Sequence, residues 1–159
     1  MRRCGLRFGL IVLVLGLAAC AAETKTSEIR APTREIGSFQ SVIVRVPLTK
    51  RELTQQARDL ERQTASAIRK TGRWRLVLEG STATGQKNGL RIRIDLLDPP
   101  MDFSSQVDPR KETYVAVTLE DIATGEVLGG MEVVGAGIGP RQSTDVVVQQ
   151  ISAWVSELP

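Results

Sequence analysis

A single α+β domain, with two helices packed on one face of a mostly antiparallel sheet of about five strands, is the architecture this chain predicts. Two amphipathic stretches of helical period and five short segments of strand period or β-branched composition point to it. Their order, strand, helix, four strands, helix, completes the argument, because it segregates helices to one layer of a sheet and contains no internal repeat.

The first strand is Phe39-Gln40-Ser41-Val42-Ile43-Val44-Arg45-Val46, a run rich in β-branched residues that Pro47 terminates. Thr49-Lys50-Arg51-Glu52 then matches a capping box, in which Thr49 accepts from the third helical amide and Glu52 reaches back. Leu53, Ala57, Leu60, Thr64 and Ile68 follow at steps of three and four, one buried stripe that Gly72 stops in the left-handed conformation. Arg51, Arg58, Asp59, Glu61, Arg62 and Lys70 fall off that stripe and make a solvated face.

Trp74, Leu76 and Leu78 alternate with Arg73, Arg75 and Val77 in a second strand, and a Gly-, Ser- and Thr-rich loop runs from Glu79 to Gly89. Leu90-Arg91-Ile92-Arg93-Ile94-Asp95-Leu96 alternates strictly and is the clearest strand in the chain. Asp98-Pro99-Pro100 ends it, and a polar loop extends through Lys111. Tyr114 to Ile122 and Glu126 to Val134 form a hairpin about Ala123-Thr124-Gly125, with Gly125 at the bulge or positive-φ position. A glycine-rich segment, Gly135 to Pro140, leads into a last helix with Ser143 or Thr144 as cap and Asp145 in its first turn. Val147, Ile151, Trp154 and Leu158 share one face of it, widened by Val148 and Val155.

Ahead of this domain, Arg2, Arg3 and Arg7 precede an apolar run from Phe8 to Ala19, too short to span a bilayer and suited to a cleaved export signal. The run closes on Leu17-Ala18-Ala19-Cys20, which resembles the bacterial lipoprotein pattern. An ordinary secretory signal also accepts small residues at the cut, but Leu17 at the third position before it favours the lipoprotein pattern. That pattern implies a diacylglyceryl group on the Cys20 thiol and cleavage just before it. Ala21 rather than Asp follows, which in the sorting pattern it resembles favours the outer membrane over the inner one. The expected division is therefore signal at 1–19, lipidated Cys20 and a flexible tether at 20–37, and the α+β domain at 38–159. A tether of about 17 residues spans on the order of 20–25 Å and would stand the domain off the bilayer.

Cleavage removes three of the 21 basic residues and none of the 18 acidic ones, leaving side-chain charge balanced at 18 against 18. The net charge of +3 thus belongs to the precursor and gives no support to nucleic-acid binding. Of the two cysteines, Cys4 leaves with the signal and Cys20 is acylated, so disulfide, zinc and thiol chemistry have no residue to use.

At Val115-Ala116-Val117-Thr118-Leu119-Glu120-Asp121, followed by Ala123-Thr124-Gly125-Glu126-Val127-Leu128, the chain resembles a family of uncharacterised bacterial lipoproteins. Their domain is similar in layout to the amino-terminal domain of TolB. The resemblance implies an accessory role in the envelope without assigned catalysis, and it supplies no functional residues.

The chain has no histidine, which removes the commonest general base and metal ligand. Lys25, Lys50, Lys70, Lys87 and Lys111 lie at linker, helix-end or loop positions, none in the apolar context a serine–lysine pair requires. Gly135-Ala136-Gly137-Ile138-Gly139 has the wrong spacing for a dinucleotide fingerprint and fits a strand-to-helix connection. Asp95, Asp98, Asp102 and Asp108 lack the calcium-loop spacing and glycine and fit solvated turn acids. No enzyme, cofactor or metal site is expected.

Arg73, Arg75, Arg91 and Arg93 are the candidate functional residues, alternating with core positions on two strands. If those strands pair as a hairpin about Thr84, Arg75 falls opposite Arg93 and Arg73 opposite Asp95. Like charges held opposite each other cost stability, and guanidinium forks suit phosphate and carboxylate, so such a ladder would serve an anionic partner. Asp95 and Glu120 are the alternative partners, making a salt-bridged outer face. The expected function is a non-enzymatic, lipid-anchored accessory or adaptor that docks onto a larger envelope complex through an open sheet face or edge strand. The alternative is an amphiphile carrier, with Phe39, Trp74, Met131 and Trp154 as candidate cavity lining, although core is the better reading of these four.

Overall fold

The computed structural model describes residues 24–30, 35–48, 53–80, 88–98 and 112–159. Along the chain they form β1 (Thr24–Arg30), a 3-10 turn (Ile36–Ser38), β2 (Ser41–Arg45), α1 (Thr54–Thr71), β3 (Leu76–Glu79), β4 (Gly89–Leu96), β5 (Glu112–Asp121), β6 (Val127–Ala136) and α2 (Pro140–Glu157). The six strands make one mixed sheet in the order β1-β6-β5-β4-β2-β3. The class is α+β, as the element order predicts. Cys20, the Thr49–Glu52 capping box, Asp102 and Asp108 lie outside the described residues.

Both helices lie on one face, touching each other, with α1 against β2 and β3 and α2 against β5 and β6. The reason is the alternation within each strand, which commits one parity to the helices. Val42 and Val44 of β2, Leu90, Ile92 and Ile94 of β4, and Val115, Val117 and Leu119 of β5 are buried in one hydrophobic cluster with Leu60 and Ile68 of α1 and Val147, Ile151 and Val155 of α2. Gly72 ends α1 in the left-handed conformation, φ 69°, donating its N–H to the Arg69 carbonyl.

Four features correct the sequence reading. The first is a sixth strand, β1, inside the segment read as tether; it pairs antiparallel with the outer edge of β6, Thr24 opposite Gly135. It escapes a periodicity search because Thr24-Lys25-Thr26-Ser27-Glu28 is polar at every position, as suits an edge strand that must not attract further strands.

The second correction concerns pairing. β3 and β4 are not a hairpin: β2 lies between them, parallel to both, with Ile43 opposite Leu78 on one side and Arg91 on the other. Returning from the end of β3, level with Val44, to the start of β4, level with Ser41, requires about 10 Å along the strand and roughly two strand spacings across. A connection of about nine residues, reaching up to roughly 30 Å, suffices without a helix.

The third is the parity of β3, where Val77 is buried with Trp74 and Leu76 is exposed. The fourth is the start of α2, which begins at Pro140 in the favourable first-turn position with Gly139 as N-cap. Ser143 and Thr144 lie one turn inside and donate their hydroxyls back to the Pro140 carbonyl at 3.0 and 2.8 Å. The hairpin is as expected: Asp121 accepts from the Ala123 N–H at 2.8 Å and Gly125 takes φ 71°.

Candidate docking site on the open sheet face

Because Leu90, Ile92 and Ile94 face the helices, Arg91, Arg93 and Asp95 face the other way, onto a sheet surface that neither helix covers. β5 contributes Thr118 and Glu120 by the same parity, and β2 contributes Arg45. The register sets Arg45 directly opposite Arg93 and Arg91 opposite Glu120. With Pro47, the residues Arg45, Arg91, Arg93 and Glu120 line a cleft of about 190 Å³.

Two of the three arginines are neutralised in place. Arg91 Nη1 meets Glu120 Oε2 at 3.0 Å, and Arg93 Nε meets Asp95 Oδ2 at 2.9 Å. The hydrogen bond and charge of Asp95 raise Arg93 above the ordinary arginine pKa. Each pair is partly exposed and contributes on the order of 1 kcal/mol or less. Arg45 has neither hydrogen bond nor ion pair among the described residues, and it is exposed. Asp95 and Glu120 thus take two of the three guanidiniums, and Arg45 is the one without an ion-pair partner among the described residues.

Arg45 and Pro47 also line a second, larger cleft of about 420 Å³ at the carboxyl end of β2, with Leu48, Arg58, Glu61 and Gly80 among its walls. There Glu61 Oε2 accepts the Val46 N–H at 2.9 Å, which ties α1 to the residue that follows β2.

The other two predicted arginines are elsewhere. Arg75 is exposed at the start of β3, level with the beginning of β2 and not opposite Arg93. Arg73 is not opposite Asp95 either: its Nη1 donates to the carbonyls of Val155 and Ser156 at 3.1 and 3.0 Å, and its guanidinium lies 5.1 Å from the centre of the Trp74 ring. It satisfies carbonyls that the end of α2 leaves without helical partners. The sequence reading thus finds Arg91 and Arg93 and misses Arg45. The signal was present, since Val42, Val44 and Val46 alternate with Ile43 and Arg45 as Leu90, Ile92 and Ile94 alternate with the β4 arginines.

Among the described residues no group of histidine, cysteine or carboxylate side chains is disposed to hold a metal ion. No helix among them is long and apolar enough to cross a membrane. Gly135 serves packing: a β-carbon there would lie 2.3 Å from the Ser143 carbonyl oxygen and 2.7 Å from Val147 Cγ2.

A two-helix layer on one side of a mixed six-stranded sheet is a frame shared with solved proteins. A point variant of the PelC dodecamer from Paraburkholderia phytofirmans superposes with a TM-score of 0.55 at 14% identity, covering 86% of this chain and 97% of that one. A second crystal form of the PelC dodecamer from the same organism gives 0.55 at 15% identity, covering 84% and 94%. At such identities the likeness is one of fold. No protein-family model matches the chain, and no curated protein matches it.

Proposed function

We propose that this protein is a non-enzymatic, lipid-anchored accessory of the bacterial cell envelope, facing the periplasm from the outer membrane and acting by docking. The observation that carries the reading is the sheet face that bears no helix, where Arg45, without an ion-pair partner among the described residues, stands beside the Arg91–Glu120 and Arg93–Asp95 pairs. A charged sheet surface with one spare guanidinium suits a carboxylate-bearing surface of a protein partner. β1 and β3 stand at the two edges of the sheet, where a partner strand could add. The PelC structures of the same fold are dodecamers, which supports an assembling unit here, with copies of this chain among the candidate partners.

The carrier reading has less support. Phe39, Trp74 and Met131 belong to the packed core, and the cleft at the end of β2 sets Arg45, Arg58 and Glu61 among its apolar walls.

Photo-crosslinking tests the docking surface. A photoreactive residue at Thr118, between Arg93 and Gly130 on the open face, should give a discrete protein adduct in intact cells. Combined Arg45→Gln and Arg93→Gln should diminish that adduct several-fold while leaving the thermal midpoint nearly unchanged. An adduct of undiminished yield, or none at all, would count against docking through this face.

A further inference from the structure

We propose that the end of the sheet bearing Leu48, Leu97 and Ile138 rests on the lipid bilayer, so that the domain stands upright on the membrane with its strands directed away from it. This rests on Cys20 being the lipid attachment point.

The first argument is chain length. β1 begins at Thr24, so only Ala21, Ala22 and Glu23 separate Cys20 from the sheet. Four Cα steps reach at most about 14 Å. The expected stand-off of a long tether does not arise, because β1 has taken up most of that segment.

The second argument is register, which identifies what else lies at that end. Thr24 is opposite Gly135 and Glu112 is opposite Ala136, so the start of β1, the end of β6 and the start of β5 are level. Leu96 is opposite Val115, which brings the end of β4 to the same level, and the parallel pairing of β2 with β4 brings the end of β2 there too. Ile138 follows β6, Leu97 follows β4 and Leu48 follows β2.

The third argument is exposure. These are the three most exposed large apolar residues among those described: Ile138 at 74%, Leu48 at 57% and Leu97 at 41%. Across β6, β5, β4 and β2 they spread over three strand spacings, on the order of 15 Å. Leu76 and Val127, the two less exposed ones, begin β3 and β6 and so lie at the opposite end. The open face has Arg45, Arg91, Arg93, Glu120 and Glu132 to offer instead, so a short tether that allowed the domain to lie flat would set charge, not apolar side chains, against the lipid.

Charge does not dominate the contact. Arg45 and Arg58 at this end line one cleft with Glu61, Asp98 follows Leu97 at the end of β4, and the membrane surface it fits is the apolar and headgroup boundary of a zwitterionic bilayer. Salt should leave it intact, since screening weakens only exposed charge interactions.

The test uses the full lipidated chain in phosphatidylcholine vesicles containing nitroxide-labelled lipid. Single variants Ile138→Cys, Leu48→Cys, Leu76→Cys and Thr118→Cys are labelled with an environment-sensitive fluorophore, the first two at the proposed contact, the others at the far end and on the open face. Quenching several-fold greater at positions 138 and 48 than at 76 and 118, unchanged in high salt, is the expected result. Acylated protein showing equal quenching at all four positions, or shielding of 138 and 48 by a second copy without lipid contact, overturns the upright orientation and leaves Cys20 lipidation standing. An N-terminal peptide whose mass shows no acyl group overturns both, and the mass separates that failure from the first.

Discussion

Tyr114 is the only tyrosine of the chain, and its hydroxyl donates to Glu112 Oε2. Burial first, and then the hydrogen bond and charge of Glu112, push its pKa up to about 12. Since the phenol ionises near 10 in an unfolded chain, the folded state holds the proton longer. The stability this contributes is fully present below about pH 10 and is lost as pH rises toward 12. Tyrosinate absorbance therefore follows one group, with a midpoint near 12 in the folded protein and near 10 in denaturant. Glu112→Gln should lower the folded midpoint only part of the way, because burial is the larger cause; an ordinary midpoint in the folded wild type would contradict the geometry. At this scale the strictly alternating segment was the most legible. Arg91 and Arg93 stand where the pattern of Leu90, Ile92 and Ile94 puts them, and Asp95 and Glu120 are their ion-pair partners. Arg73 was not legible, because what fixes it is the end of α2, some 80 residues further along the chain.

The close approach of α2 to the sheet depends on Gly135, whose missing side chain lets the Ser143 carbonyl and Val147 come within contact of the strand. Thr113 and Ser143 share a buried hydrogen bond of 2.8 Å at the same place. Gly135→Ala forces helix and strand apart and should cost about 3 kcal/mol by chemical denaturation. Gly139→Ser, at an extended N-cap with open space around it, should be tolerated; equal destabilisation by the two would contradict this packing. Elements with a committed apolar face, α1, α2, β4 and the β5–β6 hairpin, could be read from periodicity because burial enforces it. β1 could not, since an edge strand polar from Thr24 to Glu28 carries no such pattern. The neighbours of β3 could not either: a long loop leaves hairpin and parallel return both open, and only the surface of β2 that Val42, Val44 and Val77 bury together decides.

For the molecule as a whole, the two helices lie on one face of the sheet and leave the other without a helix, and with lipid on Cys20, as proposed, the position of Thr24 would hold that arrangement close to the membrane. β1 shortens the link between Cys20 and the fold to three residues. A domain held that close in the proposed upright orientation would present its open face, with Arg45, sideways to neighbours on the same surface, which would suit assembly among anchored copies or with an anchored partner. The sequence speaks to location more directly than to task, because an export signal is a local string whereas a docking face is assembled from β2, β4 and β5.

All of this depends on covalent lipid at residue 20, and incorporation of labelled palmitate by growing cells measures it most directly. The wild-type chain should take up label, begin at Cys20 and remain with the membranes, and Cys20→Ser should abolish uptake. A wild-type chain that stays unlabelled and is recovered in the soluble periplasmic fraction would contradict the account.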